Sequence, residues 1–149
     1  RKLYELAVGH LATKKFQGFV FAVWGIAFKD GTSDTRESPG VELVWQLIRA
    51  GGAVVVYDPH IDARGLADLN FPPGQVSLAK QPYDALLGAN ALFVTTPDRG
   101  WRTFDFAQAK AAMREPVVFD GRNLYDPQEM TEEGFFCYPI GRPAGIPEM

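Results

Sequence analysis

The chain has 149 residues, enough for one domain with one proper core. Apolar residues make up 46% and charged residues 22%, as in ordinary globular proteins. A net charge of −3 gives no electrostatic footprint for nucleic acid, no apolar run reaches the length of a membrane span, and the sole cysteine, Cys137, excludes an internal disulfide.

Residues 1 to about 13 repeat Leu3, Leu6, Ala7 and Leu11 near helical spacing, which predicts an amphipathic helix, the tail of a longer one. A strand follows from Phe19 to Trp24, and Gly25 opens a polar loop. Ser38-Pro39 then starts a helix, because Ser caps orphan N–H groups and Pro suits the first turn. That helix runs to Ala50 with Val41, Val44, Leu47 and Ile48 on one face, and Gly51-Gly52 ends it in left-handed conformation. Val54 to Tyr57 is a continuous apolar run, the pattern of a parallel strand buried on both faces, and Asp58-Pro59 stops it.

Ile61 to Leu69 reads as a short helix or turn, Val76 to Leu78 as a short edge strand, and Tyr83 to Leu87 as a short helix. Ala91 to Thr95 is a buried strand, and Asp105 to Met113 a helix with Phe106, Ala109 and Met113 inward. Strands from Pro116 to Asp120 and from 135 to 140 complete the set, and the Pro- and Gly-rich end is expected to fray. Strands alternating with helices predict an α/β fold, a Rossmann-like three-layer domain with a mostly parallel sheet.

The loop between Gly25 and Pro39 holds the chemistry. It carries two cations, Lys29 and Arg36, three hydroxyls, Thr32, Ser33 and Thr35, and a glycine, Gly31. Charge, donors and a closely approaching backbone suit phosphate, and a loop at the carboxyl end of a parallel strand sits where ligands bind. It is neither G-x-G-x-x-G nor a Walker A loop. The bland alternative is a solvated connection in which Lys29 pairs with Asp30, and Arg36 with Asp34 or Glu37. Asp34 also suits an Asx turn that fixes the loop. Arg122, after the strand ending at Asp120, projects at the same edge of the sheet and offers a planar fork for pyrophosphate or ribose, with a pair to Asp120 or Asp126 as its bland reading. The two loops share one crevice if their strands are neighbours. Asn123 can act at the same place. Asp58 ends a strand where a dinucleotide-binding unit puts its ribose-binding acid, but with no glycine fingerprint a turn-forming role is favoured. Cys137 lies in an aromatic run and reads as a packing residue, His10 and His60 are isolated, no metal-ligand spacing occurs, and Trp24, Trp45 and Trp101 read as packing.

Four ordered segments resemble one family. Gly25-x-Ala27-Phe28-Lys29-x-Gly31-Thr32-x-Asp34-x-Arg36-Glu37-Ser38-Pro39 is similar to the signature that opens the C-terminal domain of UDP-glucose/GDP-mannose dehydrogenases. Tyr57-Asp58-Pro59, then Phe119 to Pro127, then Gly134-Phe135 through Ile140-Gly141-Arg142-Pro143, follow in the right order. The Arg122-Asn123 pair and the closing Gly-Arg-Pro look most like the bacterial UDP-glucose 6-dehydrogenases. Asp30 and Ser33 depart from the commonest wording of the motif.

The resemblance implies residues 1–17 as the end of a connecting helix and 18–149 as a UDP-sugar-binding C-terminal domain. It implies Phe28, Lys29, Asp30, Gly31, Thr32, Asp34, Thr35 and Arg122 as substrate-binding residues, and Arg36 as a reach toward NAD held by another domain. No catalytic residue is expected in this chain, since the family's nucleophilic cysteine lies upstream of the matching segments. The implied whole enzyme is a cytoplasmic homodimer. It oxidises the sugar C6 hydroxyl of UDP-glucose twice with two NAD⁺, through a thiohemiacetal and a thioester, to UDP-glucuronate. The chain begins with Arg1, which the reading takes as a piece of a longer protein with an N-terminal NAD-binding domain. GDP-mannose or UDP-N-acetylmannosamine as substrate, or a non-catalytic nucleotide-binding module, are the alternatives.

Overall fold

The computed structural model describes residues 2–27 and 38–148. Helix α1 (Lys2–Leu11) leads to strand β1 (Val20–Trp24), and helix α2 (Pro39–Arg49) to strand β2 (Ala53–Tyr57). Short helix α3 (Ala63–Ala67) and edge strand β3 (Val76–Leu78) follow. A 3-10 turn (Tyr83–Leu86), strand β4 (Ala91–Val94), a second 3-10 turn (Arg99–Trp101) and helix α4 (Phe106–Ala112) come next, and strand β5 (Val117–Asp120), helix α5 (Pro127–Glu132) and strand β6 (Phe136–Pro139) complete the order.

The six strands form one sheet in the order β3-β2-β1-β4-β5-β6. Every strand pair among the described residues is parallel, in keeping with the expected Rossmann-like sheet. The chain reverses its direction of travel across the sheet between β1 and β4, the switch point of a doubly wound fold.

Alternate residues of each strand feed two separate cores, because side chains of a strand point to opposite faces. Phe21, Val23, Phe93 and Phe119 pack with Ala7 of α1 and with Leu43, Val44 and Leu47 of α2. Ala22, Trp24, Leu92, Val94 and Val118 pack with Leu86, Trp101, Ala109 and Met130 on the other face. Trp24 and Trp101 stack at 5.3 Å in this second layer, while Trp45 lies half-buried against Phe71.

Several elements differ from the sequence expectation. In β2 only Val54 and Val56 are buried, and Ala53, Val55 and Tyr57 are half-exposed, because β2 lies next to the edge strand. Gly51 alone is left-handed at the end of α2, with φ of 103°. Gly52 is needed for space instead: a Cβ there would lie 2.8 Å from the Phe21 ring. Leu43, not Val41, completes the buried stripe of α2. The segment from Tyr83 is a 3-10 turn. The carboxyl-terminal stretch is pinned and not frayed at Gly145, which exchanges two backbone hydrogen bonds with Cys137, and Pro147 is buried.

His10 is not isolated. Its ring packs edge-on against Phe119, Phe136 and Tyr138, and its Nδ1 shares a hydrogen bond with the Tyr138 hydroxyl at 2.5 Å. Burial lowers its pKa from the ordinary 6.5, and Glu115 opposes this more weakly. The unfolded chain therefore takes up this proton first as pH falls, so the contribution of His10 to stability is present above 6.5 and is lost as pH drops through that value. The melting temperature of wild type is expected to fall from pH 7.5 to pH 5.5 more than that of His10→Gln; equal slopes would show that His10 does not carry the effect.

Candidate functional site

The end of β1 is built by close approach. Gly25 has φ of 95°, which L side chains rarely adopt, and its N–H donates to the Tyr57 carbonyl at 2.9 Å. The backbone then turns under a carboxylate. Asp58, only 4% exposed, accepts from the N–H groups of Ile26 (2.8 Å) and Ala27 (2.9 Å) on Oδ2, and from His60 N–H (2.8 Å) on Oδ1. Asp58 thus holds the start of the loop that carries the Lys29 and Arg36 motif, as the turn-forming reading expects.

Ser38 closes the far end of that loop. Its hydroxyl donates to the Ile26 carbonyl and accepts from the N–H groups of Gly40 (3.1 Å) and Val41 (3.4 Å), capping α2. Gly40 lets the helix end reach the strand: a Cβ there would lie 2.6 Å from the Gly25 carbonyl oxygen. The amino end of α2, with its partial positive charge, is thereby held against the carboxyl end of β1.

Arg122 is placed by a buried acid. Asp120 is fully buried, and accepts from Arg122 N–H (3.1 Å) on one oxygen and Tyr125 N–H (2.9 Å) on the other. Asp126 accepts from Gln128 N–H at 3.0 Å as the cap of α5. Both acids are thus engaged by backbone, and among the described residues no carboxylate pairs with the exposed Arg122 guanidinium. Asn123 is drawn elsewhere. Its backbone is left-handed, with φ of 53°, and its Oδ1 accepts from Arg142 Nε at 3.4 Å. Arg142 also donates to the Tyr125 carbonyl at 3.1 Å, so the closing Gly-Arg-Pro braces the loop after β5.

The strands carrying the two loops are not neighbours, since β4 lies between them. The described residues that flank the first loop nonetheless share a crevice with Gly121 and Arg122. A crevice of about 280 Å³ at the switch point is walled by Ala27 after β1, Pro39 and Gly40 of α2, Thr95 after β4, and Gly121 and Arg122 after β5. Thr95 sits under the crevice with its hydroxyl against the carbonyls of Trp24 and Gly25. Leu3 of α1 completes the wall. Sequence reasoning did not assign Leu3, Thr95, Gly40 or Gly121 to the site, because only the strand order brings them together. A wider hollow of about 650 Å³ runs along α3, lined by His60, Asp62, Arg64 and Asp68. It opens beyond the carboxyl end of β2, and His60 there faces Asp98, which follows β4, at 3.4 Å.

Phe28, Lys29, Asp30, Gly31, Thr32, Asp34, Thr35 and Arg36 lie outside the described residues. Among the described residues no group of three or more His, Cys, Asp or Glu comes together, and no helix is long and apolar enough to cross a membrane. Cys137 is fully buried, and burial, with the negative charge of Asp120, pushes its thiol up to about 12. A thiol so held stays protonated and shielded at neutral pH.

A wholly parallel, doubly wound sheet with a crevice at its switch point and a helix amino end beside it defines a Rossmann-like α/β domain. The chain belongs to the UDP-glucose/GDP-mannose dehydrogenase family, whose UDP binding domain matches residues 22–127. It is 41% identical to the UDP-glucose 6-dehydrogenase of Pseudomonas aeruginosa, over 95% of this chain and 31% of that protein. It is 35% identical to the UDP-glucose 6-dehydrogenase of Rhizobium meliloti, over 96% of this chain and 31% of that protein. The chain therefore spans under a third of the length of these relatives. Among solved structures it superposes on a UDP-glucose dehydrogenase from Pyrobaculum islandicum with a TM-score of 0.69 at 28% identity, over 85% of this chain and 27% of that one. It also superposes on an NDP-N-acetyl-D-galactosaminuronic acid dehydrogenase from Methanosarcina mazei with a TM-score of 0.72 at 27% identity, over 95% and 28%.

Proposed function

We propose that this chain holds the nucleotide end of UDP-glucose within an NAD-dependent UDP-glucose 6-dehydrogenase. The observation that carries the reading is the crevice at the switch point, where Arg122, which pairs with no carboxylate among the described residues, lines one wall and the amino end of α2 and the exit of β1 line another. In this reading residues 18–149 are the UDP-sugar-binding domain, and 1–17 end a helix that connects it to an NAD-binding domain of the same polypeptide. Lys29, Thr32 and Thr35 add charge and donors from the loop after Ala27, with Phe28, Asp30, Gly31 and Asp34 shaping it. Arg36 reaches toward the cofactor. The whole protein is a cytoplasmic homodimer. It converts UDP-glucose to UDP-glucuronate, the nucleotide contacts orienting the sugar carbon that reacts elsewhere.

The described residues do not fit NAD as a ligand of this chain. Both carboxylate oxygens of Asp58 are occupied by backbone N–H groups, and Gly25-Ile26-Ala27 stands where a dinucleotide site needs its glycines. When bound by another domain, NAD would accept the hydride. Residues of this chain bind and orient the nucleotide sugar.

Because Cys137 is the sole cysteine and is buried, the 149-residue chain supplied with UDP-glucose and NAD⁺ is expected to produce no NADH. The product of the whole reading frame is expected to produce NADH with UDP-glucose and far less with GDP-mannose or UDP-N-acetylmannosamine. Preference for another sugar nucleotide would move the substrate within the family, and NADH from the chain alone would refute the division of labour.

A further inference from the structure

The crevice has a wall that comes from outside the sheet and its loops. Leu3, in the first turn of α1, lines it beside Gly121 and Arg122. The contact is close. A Cβ added to Gly121 would lie 2.9 Å from Leu3 Cδ1 and 2.9 Å from the Val94 carbonyl oxygen, so Gly121 is held between α1 and β4. Gly121 N–H also donates to that Val94 carbonyl at 2.8 Å. The residue after it is Arg122, whose own N–H is fixed by Asp120. Leu3 thus presses on the hinge from which the one crevice cation among the described residues departs.

The other end of α1 is anchored too. His10 sits among Phe119, Phe136 and Tyr138, which belong to β5 and β6, and Ala7 between them is fully buried. Helix α1 is therefore laid across the strand that carries Arg122. Its seating fixes where Leu3 stands.

We infer that Leu3 is a positioning residue of the nucleotide crevice: seated by α1, it holds the Gly121-Arg122 corner so that the guanidinium meets a nucleoside diphosphate. This rests on the nucleotide reading above and adds that the crevice is complete only with α1 docked. Binding of the nucleotide and docking of α1 are then linked, each favouring the other by the same factor. Truncating Leu3 would leave the corner unsupported, and an unbranched side chain of similar volume would restore the support.

The test is calorimetric titration with UDP of the product of the whole reading frame, at a temperature where every variant is folded. The variants are Leu3→Ala, Leu3→Met, Arg122→Ala, and Met113→Ala as a control of similar size in the opposite core layer. Leu3→Ala is expected to bind UDP about tenfold more weakly than wild type, and Leu3→Met within about twofold. Met113→Ala is expected to lower the melting temperature and leave the affinity unchanged. In wild type, saturating UDP is expected to slow amide exchange of residues 3–11. Wild-type affinity in Leu3→Ala, with Arg122→Ala weakened, would overturn this inference and leave the nucleotide reading standing. Equal weakening in Leu3→Ala and Met113→Ala would overturn it as well, since loss of stability would explain both. If wild type takes up no UDP, the nucleotide reading falls and this inference falls with it.

Discussion

Gly25→Ala is expected to destabilise the fold by about 3–5 kcal/mol, among the largest effects a single methyl group can have. Two costs add. At φ of 95° an alanine is strained whatever the space around it. The new Cβ would also lie 2.1 Å from Thr96 Oγ1, 2.6 Å from its Cγ2 and 2.8 Å from its Cβ. Thr96 cannot swing aside, because its side chain is short, branched at Cβ and only 6% exposed. Relief requires β1 and β4 to separate at the switch point, where they are paired through Trp24 and Val94. For a chain of this length the melting temperature should fall by about 10 °C or more. A melting temperature within about 2 °C of wild type would mean that the close approach of these two strands is not needed for stability.

The second large effect is expected at Asp58. Replacing it with Ala removes the acceptor of Ile26, Ala27 and His60 N–H groups, two of them in buried bonds. A buried donor left without a partner loses its full solvation, so the variant should lose about 3 kcal/mol. Asp58→Asn should lose clearly less. Its one oxygen can still serve Ile26 and Ala27, and its amide nitrogen then faces His60 N–H, which it cannot accept. Denaturant unfolding of the two variants separates these cases. Equal losses in Ala and Asn would show that the carboxylate charge matters and the geometry of acceptance does not. Because these bonds fix the residues that open the Lys29 loop, Asp58→Ala should also weaken nucleotide binding beyond what its stability explains.

The sequence made local features plain where one residue type decides them. Ser38-Pro39 is a start signal that needs no tertiary context, and the cap is there. The apolar runs at Val20–Trp24, Ala91–Val94 and Val117–Asp120 are buried on both faces, as the run pattern says. The same pattern misleads at β2, whose position beside the edge strand leaves one face half-covered. Helix α5 was not expected, although Asp126-Pro127 is the same kind of start as Ser38-Pro39. It is one and a half turns long with Met130 as its only buried side chain, so no periodic stripe marks it. The site was legible in part. Arg122 stood out because a cation after an apolar strand lies at the ligand-binding edge. Leu3, Gly40 and Gly121 could not stand out, since their role is a close approach to residues far away in the chain. Glycine at 40 is uninformative until α2 is seen against the Gly25 carbonyl.

Calorimetric titration of wild type and Arg122→Ala with UDP and with GDP, on the product of the whole reading frame, tests the central claim most directly. If the switch-point crevice holds the nucleotide, wild type binds UDP more tightly than GDP, and Arg122→Ala loses affinity by about tenfold to a hundredfold with its melting temperature unchanged. Undiminished UDP binding by Arg122→Ala would contradict the placement of the nucleotide in this crevice.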